Sequence, residues 1–191
     1  MIRIGSDESL KGDTFGGIVV AALKADEAVR AKLKSIGVID SKKISDGKIK
    51  VLAIEIKKIA GPKGYCIRSK MPYEYNRECK QTIMLNRMHS QATAFLKDAD
   101  EIVVDRYPGL LIPGVRAEEK AESKYIEVAA ASILARDEAI RQMERLSKDI
   151  GFDIPYGSTH VKEALLKLKK NGKDPARYVK MHFRNVKSVL E

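Results

Sequence analysis

Apolar runs and polar breaks divide the chain into elements of recognisable period. Ile2–Ser6 and Phe15–Lys24 read as two strands joined by a glycine-containing turn. The second holds Ile18-Val19-Val20-Ala21-Ala22-Leu23, a continuous apolar run of the kind found at a sheet centre. Asp26–Ile36 is short and amphipathic, with Val29 and Leu33 one helical turn apart. After the polar break Asp40-Ser41-Lys42-Lys43, Ser45 is placed to cap a helix through about Ile59. Ile49, Leu52, Ile56 and Ile59 share its apolar face, and Gly61-Pro62-Lys63-Gly64 ends it.

Tyr65–Lys70 alternates and predicts a third strand. Pro72 to about Lys97 carries the pattern of one long helix, with Met84, Leu85, Met88, Ala92 and Phe95 as apolar positions. Ile102-Val103-Val104-Asp105 is a short buried strand ending in a carboxylate. Val115–Ser123 is charged and extended, and Lys124–Ser147 is a second long helix whose middle, Ala129–Ala135, is unusually small. His160–Lys170 is helical up to Asn171-Gly172, and the basic end through Arg184 and Lys187 is helical too. Strands followed by alternating helices and strands predict an α/β domain, a mixed central sheet flanked by helices. Residues 1–150 would form it, and 151–191 a small basic helical extension that contributes to substrate binding.

Composition narrows the partners. Of 191 residues 44% are hydrophobic, enough for a core, so the chain is not a disordered tail. Lys and Arg number 36 against 26 Asp and Glu, a net charge of +10, which favours a polyanion, with nucleic acid the usual one. A solvated Lys-rich surface is the plain alternative. Cys66 and Cys79 make no CxxC pair and no zinc pattern, so buried thiols in a reducing compartment are expected. The opening on a charged strand predicts no signal peptide, and no apolar run is long enough for a membrane. A cytoplasmic protein is the expectation.

The candidate chemistry lies in four acids. Asp7 and Glu8 are adjacent in the first strand, and a strand sends neighbouring side chains to opposite faces. They can serve one site only near a strand end, where the backbone turns. Asp105 also stands at a strand end, and Glu122 just before a long helix. Singly, Glu122 reads as an ordinary first-turn acid. Together, four acids from separate segments are what a two-metal phosphodiesterase needs, since Mg²⁺ takes oxygen ligands.

Several motifs resemble those of the type 2 ribonucleases H, the RNase HII and RNase HIII group. They are Gly5-Ser6-Asp7-Glu8-Ser9 with Lys11-Gly12-Asp13 and Phe15-Gly16, Asp40-Ser41-Lys42, Lys120-Ala121-Glu122-Ser123, and Val128 through Arg136. Glu122, where RNase HII carries aspartate, and Met181-His182-Phe183 with Asn185 resemble the HIII branch. The resemblance implies an RNase H-like fold and hydrolysis of the RNA strand of RNA–DNA hybrids to 5′-phosphate and 3′-hydroxyl ends. It implies two Mg²⁺ or Mn²⁺ ions held by Asp7, Glu8, Asp105 and Glu122, and a monomer. By position, Lys11, Gly12, Lys42, Lys43, Ser132 and Tyr156 would touch the nucleic acid. The basic C-terminal side chains, Lys180 among them, would grip phosphates.

Three departures are visible. The resemblance begins at the first strand, which leaves no room for the N-terminal substrate-binding domain usual in RNase HIII. Leu10 stands where the family has glycine in a Gly-Arg/Lys-Gly motif, adding bulk and restricting the backbone. Gly17 replaces a common proline, which should loosen the turn. Tyr156 resembles the RNase HII tyrosine that stacks on the sugar beside the cut, whereas Ile154-Pro155 and Gly157-Ser158 resemble HIII. A non-catalytic hybrid-binding protein and an RNase HII-like incision at single ribonucleotides are the competing readings.

Overall fold

The structure, a computed structural model, describes every residue except Asp40, Cys79 and Glu191. Among those described, a mixed sheet of five strands forms, in the order β3-β2-β1-β4-β5. The strands are β1 (Arg3–Ser9), β2 (Ile18–Ala25), β3 (Tyr65–Lys70), β4 (Glu101–Asp105) and β5 (Arg116–Glu118). Seven helices accompany them: α1 (Glu27–Ser35), α2 (Asp46–Ala60), α3 (Pro72–Asn76), α4 (Gln81–Leu96), α5 (Ile126–Ile150), α6 (Lys162–Asn171) and α7 (Arg184–Leu190). Short 3-10 turns cover Ser41–Lys43, Ala121–Ser123 and Pro175–Arg177. No helix of the described residues is long and apolar enough to cross a membrane.

The chain packs as two compact units. The first gathers Met1–Ser9, Val20–Arg68 and Lys80–Asp137. The second gathers Leu10–Val19, Ser69–Cys79 and Glu138–Glu191.

In the first unit β1 pairs in parallel with β4, Ser6 opposite Val104, and β4 with β5. The central strand comes very close to α5. A Cβ added at Gly5 would lie 2.4 Å from the Val128 amide nitrogen, so only glycine admits the helix there. The small residues Ala129, Ala130 and Ala131 are buried, a packing role for the alanine run. In the second unit Gly17 is held rather than loose. Its amide donates to Gln142 Oε1 at 2.6 Å, which proline could not do. A Cβ on Gly17 would meet the Lys70 carbonyl at 1.9 Å.

Three elements differ from the sequence reading. The single helix expected over Pro72–Lys97 is two, α3 and α4, one in each unit. Asn76 ends α3 by donating to the Ala176 and Val179 carbonyls and accepting from the Met181 amide, contacts its helical pattern does not announce. In the segment 115–123, expected to be extended, Arg116–Glu118 is the edge strand β5 but Ala121–Ser123 is a 3-10 turn. Ser45 precedes α2 but its side chain makes no capping bond, whereas Asp26 does cap α1, accepting from the Val29 amide. Cys66 is a buried thiol that burial pushes up; Cys79, and with it any pairing of the two, lies outside the described residues.

Gly5→Ala forces β1 and α5 apart, and overpacking of this kind costs about 1–3 kcal/mol or more. The expected outcome is a lower urea midpoint at unchanged slope, measured by circular dichroism.

Candidate active site

All four acids belong to the first unit. The strand register brings two of them to the same level: one step beyond Ser6 and Val104 lie Asp7 on β1 and Asp105 on β4. Glu122 follows from a tight turn. Lys120 adopts a left-handed conformation (φ 53°), and the next amide, that of Ala121, donates to Asp105 Oδ1 at 2.8 Å. The turn thus ties the segment carrying Glu122 to the end of β4.

The expected backbone turn at Asp7-Glu8 is absent. β1 continues to Ser9, so the alternation of a strand still governs both residues. Gly5 and Asp7 share the side facing α5, where Asp7 is hydrogen-bonded by Ser132. Ser6 and Glu8 share the side of α4, where both reach His89. Ser6 Oγ lies 2.8 Å from His89 Nδ1, and Glu8 Oε2 lies 3.4 Å from Nε2. Ser6 Oγ also donates to the Ala21 carbonyl, so its lone pair accepts from Nδ1–H of a fully buried imidazole. Nothing local in the sequence marks His89 as a partner of Ser6 or Glu8. The signal for its burial was its place on the apolar stripe of α4, four residues from both Leu85 and Thr93.

Electrostatics follow from this crowding. Burial, then the Glu8 carboxylate, raise Asp7 from 3.8 to about 8, against the Ser132 hydrogen bond. Burial likewise raises Asp105 to about 6, opposed by the Ala121 amide and reinforced by Glu122 and Glu8. Glu122 goes the other way. Burial pushes it up, but the Lys42 ammonium, 3.0 Å from Oε1, prevails and leaves it below the usual range. Lys42 is 76% exposed at its side chain, so it serves Glu122 from the surface.

Ser41 and Ser132 join these groups: their hydroxyls lie 2.8 Å apart, and Arg136 Nη1 donates to the Ser41 carbonyl. Ser132, expected at the nucleic acid, is buried in this structure and its hydroxyl serves Asp7 and Ser41. The Lys43 side chain and Asp40 lie outside the described structure. A groove of about 600 Å³ opens beside the acids, lined by Lys42, Asp105, Arg106, Tyr107, Lys120 and Glu122 among others.

Carboxylate oxygens suit a hard divalent cation. Oε2 of Glu122 is buried without a hydrogen-bond partner among the described residues, a position a cation would satisfy. The donor set therefore fits Mg²⁺ or Mn²⁺. No three of the donors converge on one point among the described residues, Glu8 being turned toward His89.

Lys11, Gly12 and Tyr156 belong to the second unit. Gly12 is exposed, and a Cβ added there would meet no protein atom within 4 Å. Tyr156 is 50% exposed. The two loops are joined: Gly157 N–H donates to Asp13 Oδ1 at 2.7 Å, and Thr14 N–H to the Gly157 carbonyl at 2.9 Å. Leu10 does not prevent the glycine-type turn. It adopts φ 66°, strained by about 1–2 kcal/mol for an L-residue, with its side chain buried. Lys180, expected among the phosphate contacts, is fully buried; sequence alone gives a lysine in a basic segment no reason to be inside.

Acids brought to one level of neighbouring strands of a mixed sheet, with a lysine-lined groove beside them, define a phosphodiester-hydrolase site on an RNase H-like fold. The chain belongs to the ribonuclease HII family, whose model, described as Ribonuclease HII, matches residues 4–186. It is 34% identical to a ribonuclease HIII of Geobacillus kaustophilus, over 98% of this chain and 68% of that protein. It superposes on the crystal structure of Bst-RNase HIII in complex with Mn²⁺ with a TM-score of 0.89, at 31% identity, over 100% of this chain and 69% of that one. The ribonuclease H2 of Pyrococcus horikoshii OT3 matches with a TM-score of 0.80 at 26% identity, covering 100% and 97%.

Raised acids carry a sign for stability. Asp7 and Asp105 titrate higher in the folded chain than unfolded, near 3.9, so the folded state binds more protons between those values. Their contribution is fully present below pH about 4 and is lost as pH rises through about 6 and about 8. With chelator present, thermal stability should fall from pH 5 to pH 8. Asp7→Asn should flatten that fall while abolishing hydrolysis, and added Mn²⁺ should offset it in the wild type only. Scanning calorimetry of both proteins at the two pH values checks this.

Proposed function

We propose that this chain hydrolyses the RNA strand of RNA–DNA hybrids, leaving 5′-phosphate and 3′-hydroxyl ends, with Asp7, Glu8, Asp105 and Glu122 holding two divalent cations, Mg²⁺ or Mn²⁺. The observation that carries it is the gathering of acids from three segments: Asp7 and Asp105 at one level of paired strands, Glu8 beside Asp7, and Glu122 tied to the end of β4 through the Ala121–Asp105 bond. A protein that only bound hybrids would gain nothing from mutually repelling carboxylates, which raise each other's cost of ionisation. Bound cations supply charge for the attacking water and the leaving oxygen.

The chain's own groups supply the rest. Ser132 holds Asp7, the Ala121 amide holds Asp105, and Lys42 holds Glu122 while keeping most of its surface toward solvent. Lys42 and Lys43 are assigned to phosphates, as are the exposed lysines of α6, Lys162, Lys167, Lys169 and Lys170. Such contacts position a duplex without reading it. Discrimination of RNA needs the 2′-hydroxyl. That role falls to the main chain at Lys11-Gly12 and to the Tyr156 ring. The proposal keeps residues 1–150 as the catalytic part, 151–191 as an aid to substrate grip, and the protein as a cytoplasmic monomer.

Gly12→Ala separates folding from recognition. Nothing in the protein opposes the added methyl, so stability should stay within about 0.5 kcal/mol. Hybrid cleavage should fall about tenfold, or 1.4 kcal/mol, if substrate lies against the backbone there. Normal kcat/KM in this variant would remove Gly12 from the contact surface.

The substrate itself is tested with two labelled duplexes, a continuous hybrid and a DNA with one embedded ribonucleotide, in Mg²⁺ and in Mn²⁺. Efficient cleavage of the hybrid and poor incision of the other duplex is the expected result. Equal turnover would make the chain HII-like in spite of Leu10, and cleavage of neither would favour the binding-only reading.

A further inference from the structure

Lys180 is fully buried, and its ammonium donates to three carbonyls: Leu10 at 2.8 Å, Asp13 at 2.6 Å and Gly16 at 3.1 Å. Its own amide donates to a fourth, that of Thr14, at 3.0 Å. All four belong to one loop, Leu10–Gly16, which carries Lys11 and Gly12. Aromatic rings close the remaining side, with Tyr75 at 5.3 Å and Phe183 at 5.4 Å from Nζ to the ring centroid. We propose that Lys180 is a positioning residue for recognition of the RNA strand, a buried post that shapes the main chain of the Leu10–Gly16 loop into the surface that reads the ribose. This inference rests on the function proposed above.

Three features distinguish a post from ordinary packing. A lysine is a costly way to fill a core, since burial without partners disfavours the charged form. Burial here draws the ammonium down to about 7, with only the Asp13 carboxylate acting upward. Such a residue is accounted for by what it holds. Second, the three bonds do not spread over several elements; from far along the chain they converge on the Leu10, Asp13 and Gly16 carbonyls of a single loop and give it a fixed curvature. Third, the loop needs holding. Leu10 is in the left-handed region where only glycine is at ease, and its carbonyl is one of the three that Lys180 engages.

The same post carries the tyrosine loop. Asp13 and Thr14, fixed by Lys180 through their carbonyls, are the residues that bond Gly157. Asn185 Nδ2 bridges Thr14 Oγ1 at 2.7 Å and the Ser158 carbonyl at 2.8 Å. Lys11-Gly12 and Tyr156 are thereby set relative to each other by one buried ammonium. Loss of the post should blur RNA-versus-DNA discrimination without touching the acids that do the chemistry.

The test measures binding in the full chain. Lys180→Met and wild type, each carrying Asp7→Asn to prevent turnover, are titrated by fluorescence anisotropy with a labelled RNA–DNA hybrid and a DNA duplex of the same sequence. The expected result is hybrid binding weakened about tenfold by Lys180→Met with DNA binding nearly unchanged, so that the affinity ratio collapses. With Asp7 intact, kcat for Lys180→Met at saturating hybrid should stay within about threefold of wild type while KM rises. A folded variant with an unchanged affinity ratio overturns the inference alone. A parent chain that holds the two duplexes equally overturns the proposed function and this inference with it. Hydrogen exchange of the parent chain covers the case of a variant that does not fold. Protection of the Leu10–Gly16 amides by hybrid but not by DNA supports the post, and equal protection by both overturns it.

Discussion

Asp7 is a carboxylate that its surroundings discourage from ionising, and much of the first unit is arranged around that fact. It is buried, next to Glu8 in sequence and level with Asp105 on the paired strand, and each of these raises the free energy of its anion. The compensating groups are few and come from separate segments: the Ser132 hydroxyl from α5, the Ala121 amide beside Asp105, the Lys42 ammonium on Glu122. None fully offsets the repulsion, since Asp7 and Asp105 remain raised. A site left under-compensated in this way has a standing affinity for positive charge. The fold contributes rigidity. Gly5 lets α5 lie directly on β1, and the parallel pairing of β1 with β4 prevents the acids from relaxing apart.

The proposed function sets the second unit a different problem. A 2′-hydroxyl is neutral and small, and main-chain groups in a fixed curve are a suitable reader for it. Fixing a short loop usually calls for glycine or for neighbours that hold it. Here both devices occur in seven residues: Gly16 permits the turn, while Leu10 takes the same kind of conformation under external hold from Lys180. Leu10 therefore changes the cost of the loop more than its path. Its side chain is buried against the loop, so the bulk added relative to glycine points inward.

The elements were legible wherever one period dominated. β3 matches its expected bounds, Tyr65–Lys70, because alternation and flanking turn residues agree. Asp105 was legible as an acid at a strand end and Glu122 as one before a long helix, whereas Asp7 and Glu8 lie within β1. What the sequence concealed were contacts between residues far apart in the chain. Asn76 ends a helix through bonds to residues a hundred positions away, and nothing local marks it. His89 looks like any polar residue on a buried stripe until Ser6 and Glu8 are brought to it. Lys180 looks like a phosphate ligand because its neighbours in sequence are basic, and burial is not written in composition. The strand alternation at Asp7-Glu8 was read correctly as a constraint, but its resolution differed: the strand runs on, and the two carboxylates face different helices.

Separate physics for the two tasks leads to separate tolerance to change. A cluster that works through charge depends on the identity of a few side chains, and an amide in place of one carboxylate removes both the repulsion and the reason to hold a cation. A reader built from main chain depends instead on whatever fixes its path, and the residues that fix it need not touch the substrate. Leu10 illustrates the second case. A departure at a motif position is accommodated because the loop's shape is dictated from behind, by Lys180 and by the Asp13–Gly157 and Asn185 bonds. Motif matching weights the first kind of residue and misses the second, since a buried lysine far along the chain shares no motif with the loop it shapes. On the proposal for Lys180, specificity is set in part by residues outside the motifs that define the family.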